Sequence, residues 1–329
     1  MGGTSLGRAI LGAILLMLIS LLAACAPTAQ GNTSSSPVSA APTARKLQVV
    51  ATTTLLADIT RNVAGDAATV TSLLPVGSDP HSFEPSPRDS QRIANADVLI
   101  ENGVGLETWL EPMIQNSGTR ARRVIASEGL TPREDNTHAG EAKSEADQGE
   151  HGHELDPHMW ADVQNVIAYV TRIRDGLAAA DPANAALYQA NAARYTAQLQ
   201  DLDAFIVQQA ATLPAEKRRL VTNHETFGYF ADRYGFELVG TVLPSVSAEA
   251  QPSAQDMARL VDAMKEAGGA AVFTEATTNP ALATQLARDA GVRVVGDLYT
   301  DSLGAPGSNG DTYIKMMRYD IEQIVKALK

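Results

Sequence analysis

An α/β protein built as two doubly wound, parallel-sheet lobes joined by one long helix is predicted from three features of the sequence. Short β-branched runs alternate with helical segments between Leu47 and Ala126, as parallel strands with crossover helices require. From Ala183 to Leu213 there is neither Gly nor Pro, and helix formers dominate. From Arg219 onward the alternation resumes.

The N-terminus stands apart from this pattern. Arg8 precedes an apolar run from Ala9 to Ala24 that only Gly12 and Ser20 interrupt, and Leu22-Ala-Ala-Cys25 resembles the lipobox of bacterial lipoproteins. Residues 1–24 are therefore expected to be a signal peptide, with lipid on Cys25, the only cysteine. The competing reading, a transmembrane anchor, requires about 20 apolar residues, and this run is short for it. Residues 25–46 are rich in Ser, Thr, Ala and Pro, cannot bury apolar surface, and read as a flexible tether.

The first lobe is assigned to 47–181. Leu47–Ala51 reads as a strand, Leu55–Ala64 as a helix ending at Gly65, and Ala68–Leu74 as a strand stopped by Pro75. A loop from Val76 to Pro87 precedes a helix over 88–94. Val98–Glu101 and Arg123–Ala126 are strands either side of a helix expected over Leu106–Gln115. Residues 128–157 are too polar for a core element and read as a mobile loop, and apolar residues at 163, 166, 167, 170, 173 and 177 mark an amphipathic helix over Ala161–Ala180. Asp181-Pro182 suits a helix start, and the linking helix over 182–213 would reach roughly 45 Å at 1.5 Å per residue.

The second lobe, 214–329, carries strands at Arg219–Asn223, Glu237–Leu243, Ala271–Glu275 and Val292–Val295. Its helices are expected over Phe227–Tyr234, Ala254–Ala267, Ala281–Ala290 and Thr312–Leu328.

Charge narrows the function. The formal net charge of -12 argues against nucleic acid, because phosphate binding needs a basic surface. Four metal-ligating side chains instead share one structural address. His81 follows the second strand, His158 lies beyond the fourth, His224 directly follows the first strand of the second lobe, and Asp301 lies in the loop after that lobe's last strand. Ligands of parallel sheets bind at the carboxyl ends of strands. Three imidazoles and a carboxylate in one cleft suit a divalent transition metal.

Pro80-His-Ser-Phe-Glu-Pro85, Asp156-Pro-His-Met-Trp160, Asn223-His-Glu-Thr-Phe-Gly-Tyr-Phe230 and Tyr299-Thr-Asp-Ser-Leu303, in this order behind a lipobox, resemble the four ligand motifs of the substrate-binding lipoproteins of bacterial zinc and manganese ABC importers. The resemblance implies His81, His158, His224 and Asp301 as ligands of one transported ion in a cleft between the lobes. It also implies delivery to a membrane ABC permease, anchorage to the outer face of the cell membrane through Cys25, limited lobe motion, and action as a monomer. Histidine at 224, where manganese-specific members tend to carry a carboxylate, points to zinc, with manganese as the alternative cargo.

Other readings of these residues remain. A histidine in a loop or at a strand end can be a satisfied polar side chain, and Asp301 can be a turn residue. Glu225 is expected to orient or surround the site, with direct ligation the competing role, while nothing in the spacing of Glu249 or Glu275 separates a site role from solvation. His138, His151 and His153 either collect metal or belong to a solvated polar loop. A zinc-dependent hydrolase is the alternative from another class, but no H-E-x-x-H helix is present, and a fourth protein ligand would close the site to the water that a hydrolase needs. No covalent chemistry is expected.

Overall fold

The structure is a computed structural model that describes residues 45–134, 155–243, 252–268 and 271–329. The expectations for the signal peptide, Cys25, most of the tether, His138, His151, His153 and Glu249 lie outside the described residues.

Two four-stranded sheets, both wholly parallel, form the two lobes. In the first, β1 (Leu47–Ala51), β2 (Ala68–Ser72), β3 (Val98–Glu101) and β4 (Arg122–Ile125) are ordered β2-β1-β3-β4. A two-residue antiparallel hairpin, β5 (Arg133–Glu134) with β6 (Leu155–Asp156), follows. In the second sheet, β7 (Arg219–Thr222), β8 (Glu237–Thr241), β9 (Val272–Glu275) and β10 (Val294–Leu298) are ordered β10-β9-β7-β8.

The helices in chain order are α1 (Thr54–Ala64), α2 (Pro87–Ala94), α3 (Leu110–Ser117), α4 (Val163–Ala180), α5 (Ala185–Ala211), α6 (Gly228–Tyr234), α7 (Ala254–Glu266), α8 (Ala281–Ala290) and α9 (Tyr313–Leu328).

Strand alternation divides the apolar side chains among three cores. Val49, Leu220 and Phe273 face one continuous core that also takes Tyr169 of α4, Leu199 and Leu202 of α5, and Ile321 of α9. Their strand neighbours Val50, Val221 and Val272 face outward into smaller cores, one under each lobe's outer helices. The largest core is therefore shared by both lobes and the helix between them. Separating the lobes would expose packed apolar surface, at roughly 25 cal/mol per Å².

The linking helix α5 has 27 residues and a length of about 40 Å at 1.5 Å per residue. Its buried face repeats at Tyr188, Ala192, Tyr195, Leu199, Leu202 and Ile206, alternating steps of four and three, which keeps one stripe on the core. Asp203 on that stripe is buried and accepts from Gln164 Nε2 of α4 (3.0 Å) and from Arg233 Nη2 (2.5 Å) and Tyr234 Oη (3.0 Å) of α6. One carboxylate thus ties the helix to both lobes. Asp181 does not cap the backbone: its carboxylate accepts from the Asn184 amide (2.7 Å) and the Tyr188 hydroxyl (2.8 Å).

Three elements differ from expectation for local reasons. Helix α3 starts at Leu110, because Gly103, Val104 and Gly105 all have positive φ (86°, 55° and 78°) and turn the chain first. Strand β10 runs to Leu298 through a register shift between Val295 and Leu298, with Asp297 at φ 65°. The β5–β6 hairpin has two residues per strand, too few to show a period.

Candidate metal centre

Each of the four side chains is held by its own local device. His81 lies in the turn between β2 and α2, where Asp79 Oδ1 accepts the His81 backbone N–H (2.8 Å) and Oδ2 accepts the Ser82 hydroxyl (2.8 Å). Trp109 Nε1 donates to the Pro80 carbonyl (2.9 Å) and stacks edgewise on Phe83 at 4.9 Å, fixing this turn to the chain entering α3.

His158 follows β6 and is fully buried. Asp156 Oδ1 accepts both its backbone N–H (2.9 Å) and its Nδ1–H (2.8 Å), which leaves Nε2 as the free lone pair. Behind it, Asn102 Nδ2 donates to the Pro157 carbonyl (3.0 Å), and Asn102 Oδ1 accepts from Tyr169 Oη (2.7 Å).

Glu107 supports that backing by accepting from the backbone N–H of Asn102 (2.7 Å) and Gly103 (3.1 Å) and from the Thr52 hydroxyl (2.7 Å). Burial pushes the Glu107 carboxyl up to about 7 despite these donors. Because the folded-state value lies above the unfolded one, its stabilising contribution is complete below about pH 4.5 and is lost as pH rises through 7. The loss amounts to about 3 kcal/mol over that interval. Urea unfolding of the metal-free protein at pH 5 and pH 7.5 is expected to show this decline, and Glu107→Gln is expected to flatten it. An equal slope in both proteins would rule Glu107 out as its source.

His224 follows β7 with its backbone N–H on Glu275 Oε1 (3.1 Å) and its Nδ1 2.7 Å from Glu275 Oε2. Thr300 Oγ1 donates to the same Glu275 oxygen (2.9 Å), and Thr226 Oγ1 lies 2.8 Å from His224 Nε2. Asp301 sits in the loop after β10, which is sewn to the first lobe. Trp160 Nε1 donates to the Thr300 carbonyl (3.0 Å), the Leu303 N–H donates to Thr54 Oγ1 (2.9 Å), and the Gly77 N–H donates to Ser302 Oγ (2.8 Å).

These devices bring all four groups together, each offering one atom within 4.8 Å of the others; three of the residues are buried and His81 is half-buried. His81 Nε2 lies 3.1 Å from His158 Nε2, His224 Nε2 lies 3.2 Å from Asp301 Oδ2, and His158 Nε2 lies 3.5 Å from Asp301 Oδ1. Ligand bonds of 2.0–2.1 Å in a tetrahedron put donor atoms roughly 3.3 Å apart, so these separations are those of a coordination shell. Asp301 Oδ1 is buried without a hydrogen-bond donor among the described residues, an arrangement that costs about 1–3 kcal/mol unless a cation takes it.

The electrostatics agree with this donor set. Burial lowers His81 to about 4, helped by the neighbouring His158, so its imidazole is neutral at pH 7. Burial also works against the charged form of His224, but the flanking Glu275 and Asp301 carboxylates outweigh it and raise the imidazole well above its ordinary range. Burial pushes Asp301 up, and His224, followed by His158 and His81, more than reverses this and holds its carboxyl below the usual range.

Two important partners escaped the sequence. Asp156 and Glu275 each anchor a histidine Nδ1, the carboxylate–histidine arrangement that fixes tautomer and ring orientation at metal sites. Asp156 stood in a quoted motif, and a carboxylate two residues before a candidate ligand was its available signal. Glu275 lies 51 positions from His224, so only the pairing of β7 with β9 brings them together. Glu225 is not one of the four clustered groups; its Oε1 lies 3.8 Å from Arg133 Nη1.

Two parallel-sheet lobes closing over a buried cluster of metal-ligating side chains define the class of two-lobed metal-binding proteins. The chain belongs to the family described as zinc-uptake complex component A, periplasmic, whose model matches residues 49–327. It is 38% identical over 283 residues to the manganese-binding lipoprotein MntA of Halalkalibacterium halodurans, covering 86% of this chain and 88% of that one. It is 30% identical over 326 residues to the manganese ABC transporter substrate-binding lipoprotein PsaA of Streptococcus anginosus, covering 97% and 98%. Among solved structures, the periplasmic zinc-binding protein TroA of Treponema pallidum superposes with a TM-score of 0.75 at 29% identity, covering 86% of this chain and 99% of that one. The family is one of transporter binding components, not of enzymes.

Proposed function

We propose that this chain is the substrate-binding lipoprotein of a metal ABC importer, anchored by lipid on Cys25 at the outer face of the membrane. His81, His158, His224 and Asp301 hold one divalent transition-metal ion between the lobes, and the protein passes it to the permease. The observation that carries this reading is the clustering of three imidazole nitrogens and a buried, undonated carboxylate oxygen at coordination-shell separations.

Manganese is the cargo we favour. The relatives named above with manganese in their descriptions are 38% and 30% identical to this chain. Both Asp301 oxygens face imidazole nitrogens, at 3.2 and 3.5 Å, so the carboxylate can offer two hard oxygen donors and offset the nitrogen preference of the histidines. Zinc, which the three imidazoles favour and the sequence alone suggested, is the second reading. Zinc binds such a site more tightly than manganese in any case, so cargo is set by availability as well as affinity.

Metal analysis of protein recovered from its native envelope is expected to find one ion per chain, chiefly manganese, while added Zn²⁺ displaces Mn²⁺ from the purified protein. Recovery of zinc-loaded protein would overturn the manganese assignment, and recovery of protein that neither contains nor binds metal would overturn the carrier. Deletion of residues 140–150 is expected to leave affinity within about threefold of wild type, because none of the four clustered groups lies there.

A further inference from the structure

Arg133 lies outside the cluster and is engaged on every side. From β5 its Nη1 reaches Asp156 Oδ2 at 3.3 Å, the oxygen that His158 does not use. Its Nε lies 2.7 Å from Asp232 Oδ2 on α6, and its backbone N–H donates to Tyr229 Oη (2.8 Å), which in turn donates to the Asp156 carbonyl (2.7 Å). Asp156 and His158 belong to the first lobe, whereas Tyr229 and Asp232 belong to the second. The guanidinium therefore holds together the carboxylate that aims His158 and the helix that follows His224.

The glycine at 228 makes this approach possible. A Cβ there would stand 1.6 Å from Arg133 Nη1 and 2.8 Å from Asp156 Oδ2. Position 228 has no need of glycine for a left-handed backbone, since it is absent from the positive-φ residues. Its requirement is for space, which the guanidinium occupies.

Resting on the carrier reading above, we propose that Arg133 is a positioning residue for metal retention: it keeps Asp156 aimed at His158, and does so only while α6 of the second lobe lies against it. Asp156 is fully buried, and without Arg133 its second oxygen would lose its donor. The carboxylate would then turn, and His158 Nε2 would no longer be held toward the ion. Because the clamp spans the lobes, any movement that draws α6 away also loosens His158, so lobe contact and metal release are coupled.

The test measures Mn²⁺ dissociation into excess chelator for the full-length protein. Arg133→Met is expected to release Mn²⁺ about 10-fold faster, the lower end of the cost of losing the outer partner of a metal-ligating histidine, because Arg133 acts on His158 through Asp156. Arg133→Lys, which keeps a cation near Asp156, is expected to recover much of that loss. Gly228→Ala is expected to speed release as well with Arg133 still present, since its methyl would meet both the Arg133 guanidinium and Asp156 Oδ2. Combining Gly228→Ala with Arg133→Met should add less than about twofold, because both changes disturb the same Arg133–Asp156 contact.

Wild-type release from Arg133→Met, or additive effects with no rescue by lysine, would overturn the proposal while leaving the carrier intact. A wild-type protein that takes up no metal would overturn the carrier reading, and this inference with it. Metal-free unfolding of each variant separates a faster release from a general loss of fold.

Discussion

Replacing His224 with Ala is expected to weaken Mn²⁺ and Zn²⁺ binding by well over about 100-fold, beyond the usual cost of losing an outer partner of a metal ligand. His224 faces two buried carboxylates at close range, with Nδ1 2.7 Å from Glu275 and Nε2 3.2 Å from Asp301. Removing it deletes a donor to the ion and the cation that offsets the buried Asp301 carboxylate in the metal-free protein. The metal-free variant is therefore also expected to be less stable, by about 3–5 kcal/mol, as when one partner of a buried charge pair is lost. Glu275→Gln serves as the comparison. It keeps the imidazole but removes a charged acceptor, and its expected loss in affinity is about 10–100-fold. Competition against a chromogenic chelator measures both variants. Affinity within tenfold of wild type for His224→Ala would sink the four-residue site.

What the sequence shows of this protein depends on the range of the interaction involved. The two lobes and the helix between them are legible because β-branched runs, glycine stops and the uninterrupted stretch after Pro182 are local signals, and α5 follows that stretch to within two residues at either end. Three of the clustered residues, His81, His224 and Asp301, are legible because each follows a strand of a parallel sheet, which puts those ends on one edge, whereas His158 follows β6 of the antiparallel pair. The turn before α3 was not legible as a turn: Leu106–Gln115 has helical spacing, but three successive positive-φ residues and the return of Glu107 to the Asn102 N–H delay the helix. Asp156 and Glu275 differ in the same way. The first is two residues from its histidine, and the second meets its histidine only through strand pairing.

The shared core shows a further limit. Val49 and Phe273 lie in different lobes and nothing in their own neighbourhoods links them, yet both face the core around α5. Hydrophobic period identifies which face of each strand is buried and leaves open which partner covers it. That the lobes share one core, and so resist separation as rigid bodies, emerges only from the packing.

Metal affinity is expected to rise about tenfold for each unit of pH between roughly pH 5 and 7, a window set by His224 and His81. In the metal-free protein the Glu275 and Asp301 carboxylates keep His224 protonated above its ordinary range, whereas a ligating Nε2 must present a lone pair. Binding therefore expels this proton, protons compete with the ion, and affinity increases with pH. His81 adds nothing to the slope in this window, because its imidazole, lowered to about 4, is already neutral. Below about pH 4 it takes a proton as well and the dependence steepens. Stability of the metal-free fold moves in the opposite direction for the same reason. A raised histidine stabilises fully below its unfolded value of 6.5 and loses that contribution as pH climbs through the folded one. Glu275→Gln removes the first of the two carboxylates that raise His224, so the steep range is expected to move to lower pH while the slope remains. Titrations of Mn²⁺ at half-unit intervals from pH 5 to 7.5 measure both proteins. An affinity that does not change with pH in the wild type would mean that no proton leaves His224 on binding, and so that the two carboxylates do not hold it protonated in the metal-free protein.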